Sequence, residues 1–222
     1  MLALMLPTAA MSQQHHAQSD KPQVLAPGYS ALSFPAPVAG SYHLPALGKA
    51  ADGNLLDSAG AATTLHALYD DKTIVLSFVY TACTDVNGCP LASFVLGLVQ
   101  RRLSRDENLK SGARLITVSF DPLNDSPQVM ADYAGNFRRG DSDWRFLTAN
   151  SEETLQPILD DYDQSVIRDR KPDGQLVGTL SHILRVYLID RHKNIRNIYS
   201  PSFLHPDVLV ADIQTVINDP AP

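Results

Sequence analysis

The sequence predicts an α/β domain with a mixed central sheet and helices on both faces. Three observations carry that prediction. Lys72–Tyr80 is a nearly unbroken apolar, β-branched run of the kind found in a strand covered on both faces. Such runs then alternate with segments of helical period, which is the pattern of crossover-connected parallel strands. Near the C-terminus two runs are spaced to pair as a hairpin. With 222 residues, 44% hydrophobic and 19% charged, the chain is long enough for one core plus an extension and too apolar for wholesale disorder.

The elements follow in order. After the strand at Lys72–Tyr80 come Cys83, a polar turn at Asp85-Val86-Asn87-Gly88, then Cys89 and Pro90. Leu91–Leu103 has helical period, with Pro90 suited to a first helical position, where its missing N–H costs nothing. Arg114–Phe120 (RLITVSF) reads as a second strand ending in Asp121-Pro122. Ser126-Pro127 opens a helix to about Phe137 with Ser126 as N-cap, and Met130 belongs to its apolar face. Trp144–Leu147 is a short strand. Ser151 caps a helix to Tyr162 that Pro157 weakens. Asp173-Gly174 marks a turn in a loop or hairpin. Ile183–Ile189 is a strand paired with Asn194–Tyr199 across Asp190–Lys193, and His205-Pro206 starts a terminal helix to about Asn218. Right-handed crossovers make the first two strands parallel, giving a thioredoxin-like layout. The cysteine turn then lies where strand meets helix, at the positive end of a helix dipole that favours thiolate.

Residues 1–40 read as a truncated export signal followed by a Pro-rich linker, and residues 41–222 as the folded domain. Met1–Ala10 is apolar and a polar stretch follows from Ser12 to Lys21, but no Lys or Arg precedes the apolar part as a signal peptide requires. His15 and His16 in the polar stretch are read as part of a solvated linker. Five prolines between Pro22 and Pro45 suggest a tether or a strap lying over the domain. No stretch has the roughly 20 apolar residues of a membrane span, so membrane association is not predicted. A net charge of -6 argues against nucleic acid as a partner.

Two cysteines separated by five residues are the chemically informative feature. They exclude four-cysteine zinc and iron–sulfur sites within one chain. Three uses stay open at this level: a structural disulfide, thiol–disulfide exchange, or a soft metal site. A structural bridge over so short a loop would contribute about 2–3 kcal/mol, which a domain of this size does not need.

The stretch Phe78-Val79-Tyr80-Thr81-Ala82-Cys83-Thr84-Asp85-Val86-Asn87-Gly88-Cys89-Pro90 resembles the active-site segment of the Sco/SenC family. Two further segments agree in order: Val118-Ser119-Phe120-Asp121-Pro122 with Asp125-Ser126-Pro127, and Ser181-His182 before Val186-Tyr187-Leu188-Ile189-Asp190. The resemblance covers Tyr42 to Asn218. It implies a thioredoxin-like fold and a periplasmic copper metallochaperone, with Cys83, Cys89 and His182 as ligands of Cu(I) or Cu(II). The implied client is a respiratory oxidase copper-site subunit, as in cytochrome c oxidase, or another cuproprotein. Thiolates suit Cu(I) and an imidazole makes Cu(II) tolerable.

One departure stands out. The family spacing is Cys-x-x-x-Cys, whereas Asn87-Gly88 is inserted here, so the second sulfur is not bound to sit on the first helical turn. Asn-Gly is strong turn chemistry and suggests a tight bulge. The alternative function is a thiol–disulfide oxidoreductase that reduces the cysteines of a copper-site client, with Cys83 attacking and Cys89 resolving. A peroxidase is disfavoured because Tyr80-Thr81-Ala82-Cys83 lacks the upstream proline of peroxiredoxin motifs. The loop Leu180-Ser181-His182 likewise lacks the proline that faces the disulfide in thioredoxin-like reductases, which favours metal. Asp85, Asp121 and Asp125 are read as loop-shaping residues, and His43, His66, His192 and His205 as surface, core or cap residues.

Overall fold

The computed structural model of the chain describes residues 26–173 and 176–219. Met1–Ala10, His15, His16, Pro22 and Gly174 lie outside the described residues. The central sheet has eight strands: β1 (Gly48–Lys49), β2 (Asn54–Asp57), β3 (Ala62–Thr64), β4 (Thr73–Val79), β5 (Ala113–Ser119), β6 (Trp144–Thr148), β9 (Val186–Ile189) and β10 (Asn194–Tyr199). Their order is β1-β10-β9-β4-β5-β6-β2-β3. β4, β5 and β6 are parallel neighbours, and β9 joins β4 antiparallel. The sheet is therefore mixed, as the crossover rule predicts. A separate hairpin pairs β7 (Val166–Arg170) with β8 (Leu176–His182).

All seven residues of β4 and of β5 are buried. Their alternation divides the core in two. Ile74, Leu76 and Phe78 face Leu155, Ile158 and Leu159 of α4 (Glu152–Asp161). Val75 and Leu115 face the other side, against α1 (Cys89–Leu103), α3 (Pro127–Phe137) and α5 (Pro206–Asn218). Helices thus cover both faces. Polar members of the strands pair among themselves: Ser77 Oγ meets Thr117 Oγ1 at 2.9 Å, and Trp144 Nε1 donates to Thr117 Oγ1 at 2.9 Å.

The caps read from the sequence are in place. Ser126 accepts from the Val129 N–H, Ser151 from the Thr154 N–H, and the His205 ring from the Asp207 N–H. Pro157 sits inside α4, where its missing N–H strands only the Glu153 carbonyl, on an exposed residue that water can reach. Two boundaries differ from expectation. The strand expected at Ile183–Ile189 begins only at Val186, because His182 ends β8 and the chain must turn from the hairpin back into the sheet. Cys89, not Pro90, is the first residue of α1, with Gly88 as N-cap. The short strands β1–β3 and α2 (Glu107–Gly112) carry no clear sequence signal.

Candidate metal centre

Three elements converge at the C-terminal end of β4. Cys83 lies in the turn that leaves the strand, where its N–H donates to the Tyr80 carbonyl at 3.2 Å. Cys89 opens α1 and is 1% exposed. His182 arrives from the far end of β8. One ligand atom from each of the three lies within 4.8 Å of the others, and no other such His, Cys, Asp or Glu group occurs among the described residues. The inserted Asn87-Gly88 pair therefore does not drive the sulfurs apart. Asp85 explains how: its Oδ1 accepts the Asn87 N–H at 3.0 Å and its carbonyl accepts the Gly88 N–H at 2.9 Å. The extra residues are folded into a tight turn that returns Cys89 to the first helical position.

His182 is oriented by its surroundings. Its Nδ1 lies 3.5 Å from the Leu180 carbonyl and its Nε2 lies 3.5 Å from Cys89 Sγ, so the ring turns Nε2 toward the sulfurs. The ring packs against Phe120 at 4.9 Å and edge-on against Tyr80 at 5.7 Å. β8 reaches this position through Arg168 of β7, which donates to Asp121 Oδ1 at 2.8 Å and pairs with Glu152 at the start of α4. Asp121 is 4% exposed. The hairpin is thus pinned to the loop after β5 by a largely buried ion pair.

Asp125 holds the other side. It is 1% exposed and accepts three hydrogen bonds, from Ser119 Oγ at 2.5 Å, Thr81 Oγ1 at 2.5 Å and the Thr81 N–H at 3.0 Å. Thr81 lies inside the turn closed by Tyr80 and Cys83, so one buried carboxylate fastens the cysteine turn to β5. Asp121 and Asp125 are engaged by Arg168 and by Thr81 and Ser119, and the candidate ligand group comprises Cys83, Cys89 and His182. His66 contacts the Ala50 carbonyl at 3.0 Å, His43 pairs with Asp219, and His205 caps α5; none approaches the cysteines.

Cys83 and Cys89 are not joined by a disulfide in this structure. They differ in protonation. The Cys83 thiol is lowered to about 6, chiefly by a hydrogen bond from Cys89, against a cost from burial and with help from the backbone N–H groups of Cys89 and Asp85. Cys89 is pushed well up, first by burial and then by its neighbour Cys83. The positive end of α1 favours thiolate, but at Cys89 burial outweighs it. The two shifts run in opposite directions, which favours the thiolate at Cys83 and the thiol at Cys89. With the His182 imidazole the two sulfurs form a soft, partly exposed group that could hold a metal ion.

The SCO1/SenC family model matches residues 49–218. The chain belongs to the SCO1/SenC family. The SCO1 protein homolog of Bacillus subtilis (strain 168) is 24% identical over 139 residues, which is 62% of this chain and 67% of that one. Among solved structures, Bradyrhizobium japonicum ScoI with copper bound is similar at a TM-score of 0.62 and 24% identity, over 76% of this chain and 99% of that one. A SCO1/SenC family lipoprotein from Bacillus anthracis str. Ames is similar at a TM-score of 0.64 and 21% identity, over 79% and 99%. These likenesses bear out the thioredoxin-like fold. In this chain five residues separate the two cysteines, and the turn at Asp85–Gly88 absorbs them.

Proposed function

We propose that this SCO1/SenC member is a copper-binding metallochaperone in which Cys83, Cys89 and His182 hold the ion. One observation carries the reading: two sulfurs and an imidazole nitrogen from three separate elements converge within 4.8 Å. The donor chemistry fits the cargo, because two soft thiolates favour Cu(I) and the added imidazole accommodates Cu(II). Loading displaces the Cys89 proton, so uptake releases protons. Delivery proceeds by ligand exchange with the cysteines and histidines of a client, either the copper-site subunit of a respiratory oxidase or another cuproprotein. Such exchange suits a site whose Cys83 is partly open to solvent. The family context and the lipoprotein relative support a location outside the cytoplasm, and the periplasm is the compartment in this reading. In this reading the residues before 26 serve as leader and linker, and residues 41–222 as the working domain, with the segment between them packed on it.

Titration of the reduced protein with Cu(I) tests the assignment. One copper per chain is expected, with affinity sharply weakened in Cys83→Ala and in His182→Ala. Undiminished binding in both variants would falsify it.

The second reading, a thiol–disulfide oxidoreductase, is favoured by one observation: a partly exposed Cys83 beside a buried Cys89, with the Cys83 thiol lowered and the Cys89 thiol raised. In that chemistry Cys83 Sγ attacks a client disulfide, one client thiolate leaves, and Cys89 then displaces the second. Two electrons pass to the client as Cys83 and Cys89 become a disulfide; one client sulfur takes the Cys89 proton and leaves as a thiol, and the other leaves as a thiolate that is protonated by water. His182 plays no part, so full reductase activity in a His182→Ala variant that has lost copper favours this role over the first.

A further inference from the structure

The sequence reads the proline-rich segment before residue 45 as a tether or a strap. It is built against the metal loop. Ala26 is fully buried, and the Tyr29 N–H donates to its carbonyl at 2.9 Å, making a tight turn. Gly28, inside that turn, lies against the cysteine loop so closely that a Cβ there would stand 2.5 Å from the Val86 carbonyl oxygen and 2.5 Å from Asn87 Oδ1. No side chain fits in that space. The contact falls on the widened part of the loop: Asn87 is one of the two inserted residues and Val86 precedes it.

Tyr29 locks the turn in place. Its ring stacks on His205 at 5.4 Å, its hydroxyl meets His205 Nε2 at 3.0 Å, and it packs edge-on against Phe94 at 5.0 Å. His205 is the N-cap of α5, and Phe94 stands on α1, whose first residue is Cys89. Farther along, the strap is fastened by Gly40 to Thr215, by Tyr42 to Asp212, and by Arg196 to the Leu44 carbonyl. The turn is therefore braced against two helices and presses on the loop between the two cysteines.

We propose that Gly28 and Tyr29 are positioning residues of the metal centre, and that the Ala26–Tyr29 turn is the outer wall holding the two-residue insertion in the conformation that keeps Cys83 and Cys89 together. A Cys-x5-Cys loop has more freedom than a shorter one, and closing it into one geometry costs entropy. The strap supplies contacts that offset this, with no atom in the donor set. The inference rests on the copper reading for its metal consequence and is independent of it for its thiol consequence.

Gly28→Val is the test, with Gly48→Ala as control because a Cβ at Gly48 meets nothing within 4 Å. Two readouts are taken on the full chain. In the first, Cys89 of Gly28→Val is alkylated at least about tenfold faster than in the native protein, measured by mass spectrometry, because the displaced loop uncovers it. In the second, Cu(I) affinity measured against a chromogenic chelator falls by about 10–100-fold, the range typical of lost outer-shell support. The far-ultraviolet circular dichroism stays native, as does the behaviour of Gly48→Ala. If Gly28→Val fails to fold, Tyr29→Ala, which removes the clasp without a clash, must show the same two effects in the same direction. Native Cys89 protection and native copper affinity in a folded variant overturn the proposal. If the native protein binds no copper, the copper reading fails alone, and the alkylation rates still decide the role of the strap.

Discussion

Replacing Asp125 with asparagine perturbs the hold on the cysteine turn while nearly preserving volume. The carboxylate is 1% exposed and accepts three hydrogen bonds, from Ser119 Oγ, Thr81 Oγ1 and the Thr81 N–H. An amide offers one acceptor oxygen and turns two donors toward the rest. At least one buried donor is left without a partner, at about 1–3 kcal/mol each, and the remaining bonds lose the strength that a charged acceptor gives. The expected loss is about 2–4 kcal/mol, a large share of the ~5–15 kcal/mol that holds a domain folded. Urea unfolding measures it directly, as a lower midpoint with an unchanged slope. The same variant frees the Tyr80–Cys83 turn, so copper affinity should also fall, by about tenfold or more. The double variant Asp125→Asn with Thr81→Val should cost less than the sum of the two single changes, since both break the same contact. A loss below ~0.5 kcal/mol, the level of a neutral surface change, would refute the reasoning.

Other expectations follow from the same geometry. With its thiol lowered to about 6, Cys83 should react with iodoacetamide at half its maximal rate near that pH, and Cys89 should stay unmodified; a midpoint near 8.5 contradicts this. Removing the hairpin pin with Arg168→Met leaves Asp121 unpaired and should cost toward the lower end of the ~3–5 kcal/mol of a broken buried pair. Copper affinity should drop with it, while Cys83 alkylation is unaffected. Asp143 and Asp190 are both depressed: burial would raise each, but Lys72 and Arg114 outweigh it at Asp143, and Asn194, Arg196 and His192 at Asp190. Each binds its proton less readily folded than unfolded, so its stabilisation is complete above the ordinary Asp value of about 3.9 and disappears as pH falls through the folded values. Thermal unfolding in acid should show a steep loss that Asp190→Asn flattens; an unchanged acid limb speaks against the pair.

Much of this fold is legible because its elements satisfy local rules strongly. Thr73–Val79 and Ala113–Ser119 are β-branched runs buried on both faces, and Ser126, Ser151 and His205 are caps that bond where capping chemistry puts them. The elements that escaped are those that tertiary contacts decide. Gly48–Lys49 is exposed and exists because β10 pairs with it. The β7–β8 hairpin contains charged residues in place of an apolar alternation, since Arg168 works as a pin. The candidate site divides in the same way. Cys83 and Cys89 are visible as a pair flanking a turn, whereas nothing local brings His182 beside them, and only the family resemblance points to it. The tight turn at the insertion was legible from Asn-Gly, but its return of Cys89 to the first helical position was not, because that depends on how Asp85 closes the turn on Asn87 and Gly88. Asp125 offered a faint signal, a carboxylate in an otherwise ordinary strand-to-helix loop. Gly28 offered none: a lone glycine in a proline-rich segment acquires meaning only from what stands 2.5 Å away.

X-ray absorption at the copper edge of the loaded, reduced protein tests the ligand assignment most directly. The expected first shell is two sulfurs and one imidazole nitrogen, with the nitrogen contribution lost in His182→Ala and one sulfur lost in Cys83→Ala. A shell of nitrogen and oxygen without sulfur, or a spectrum unchanged in either variant, contradicts the assignment.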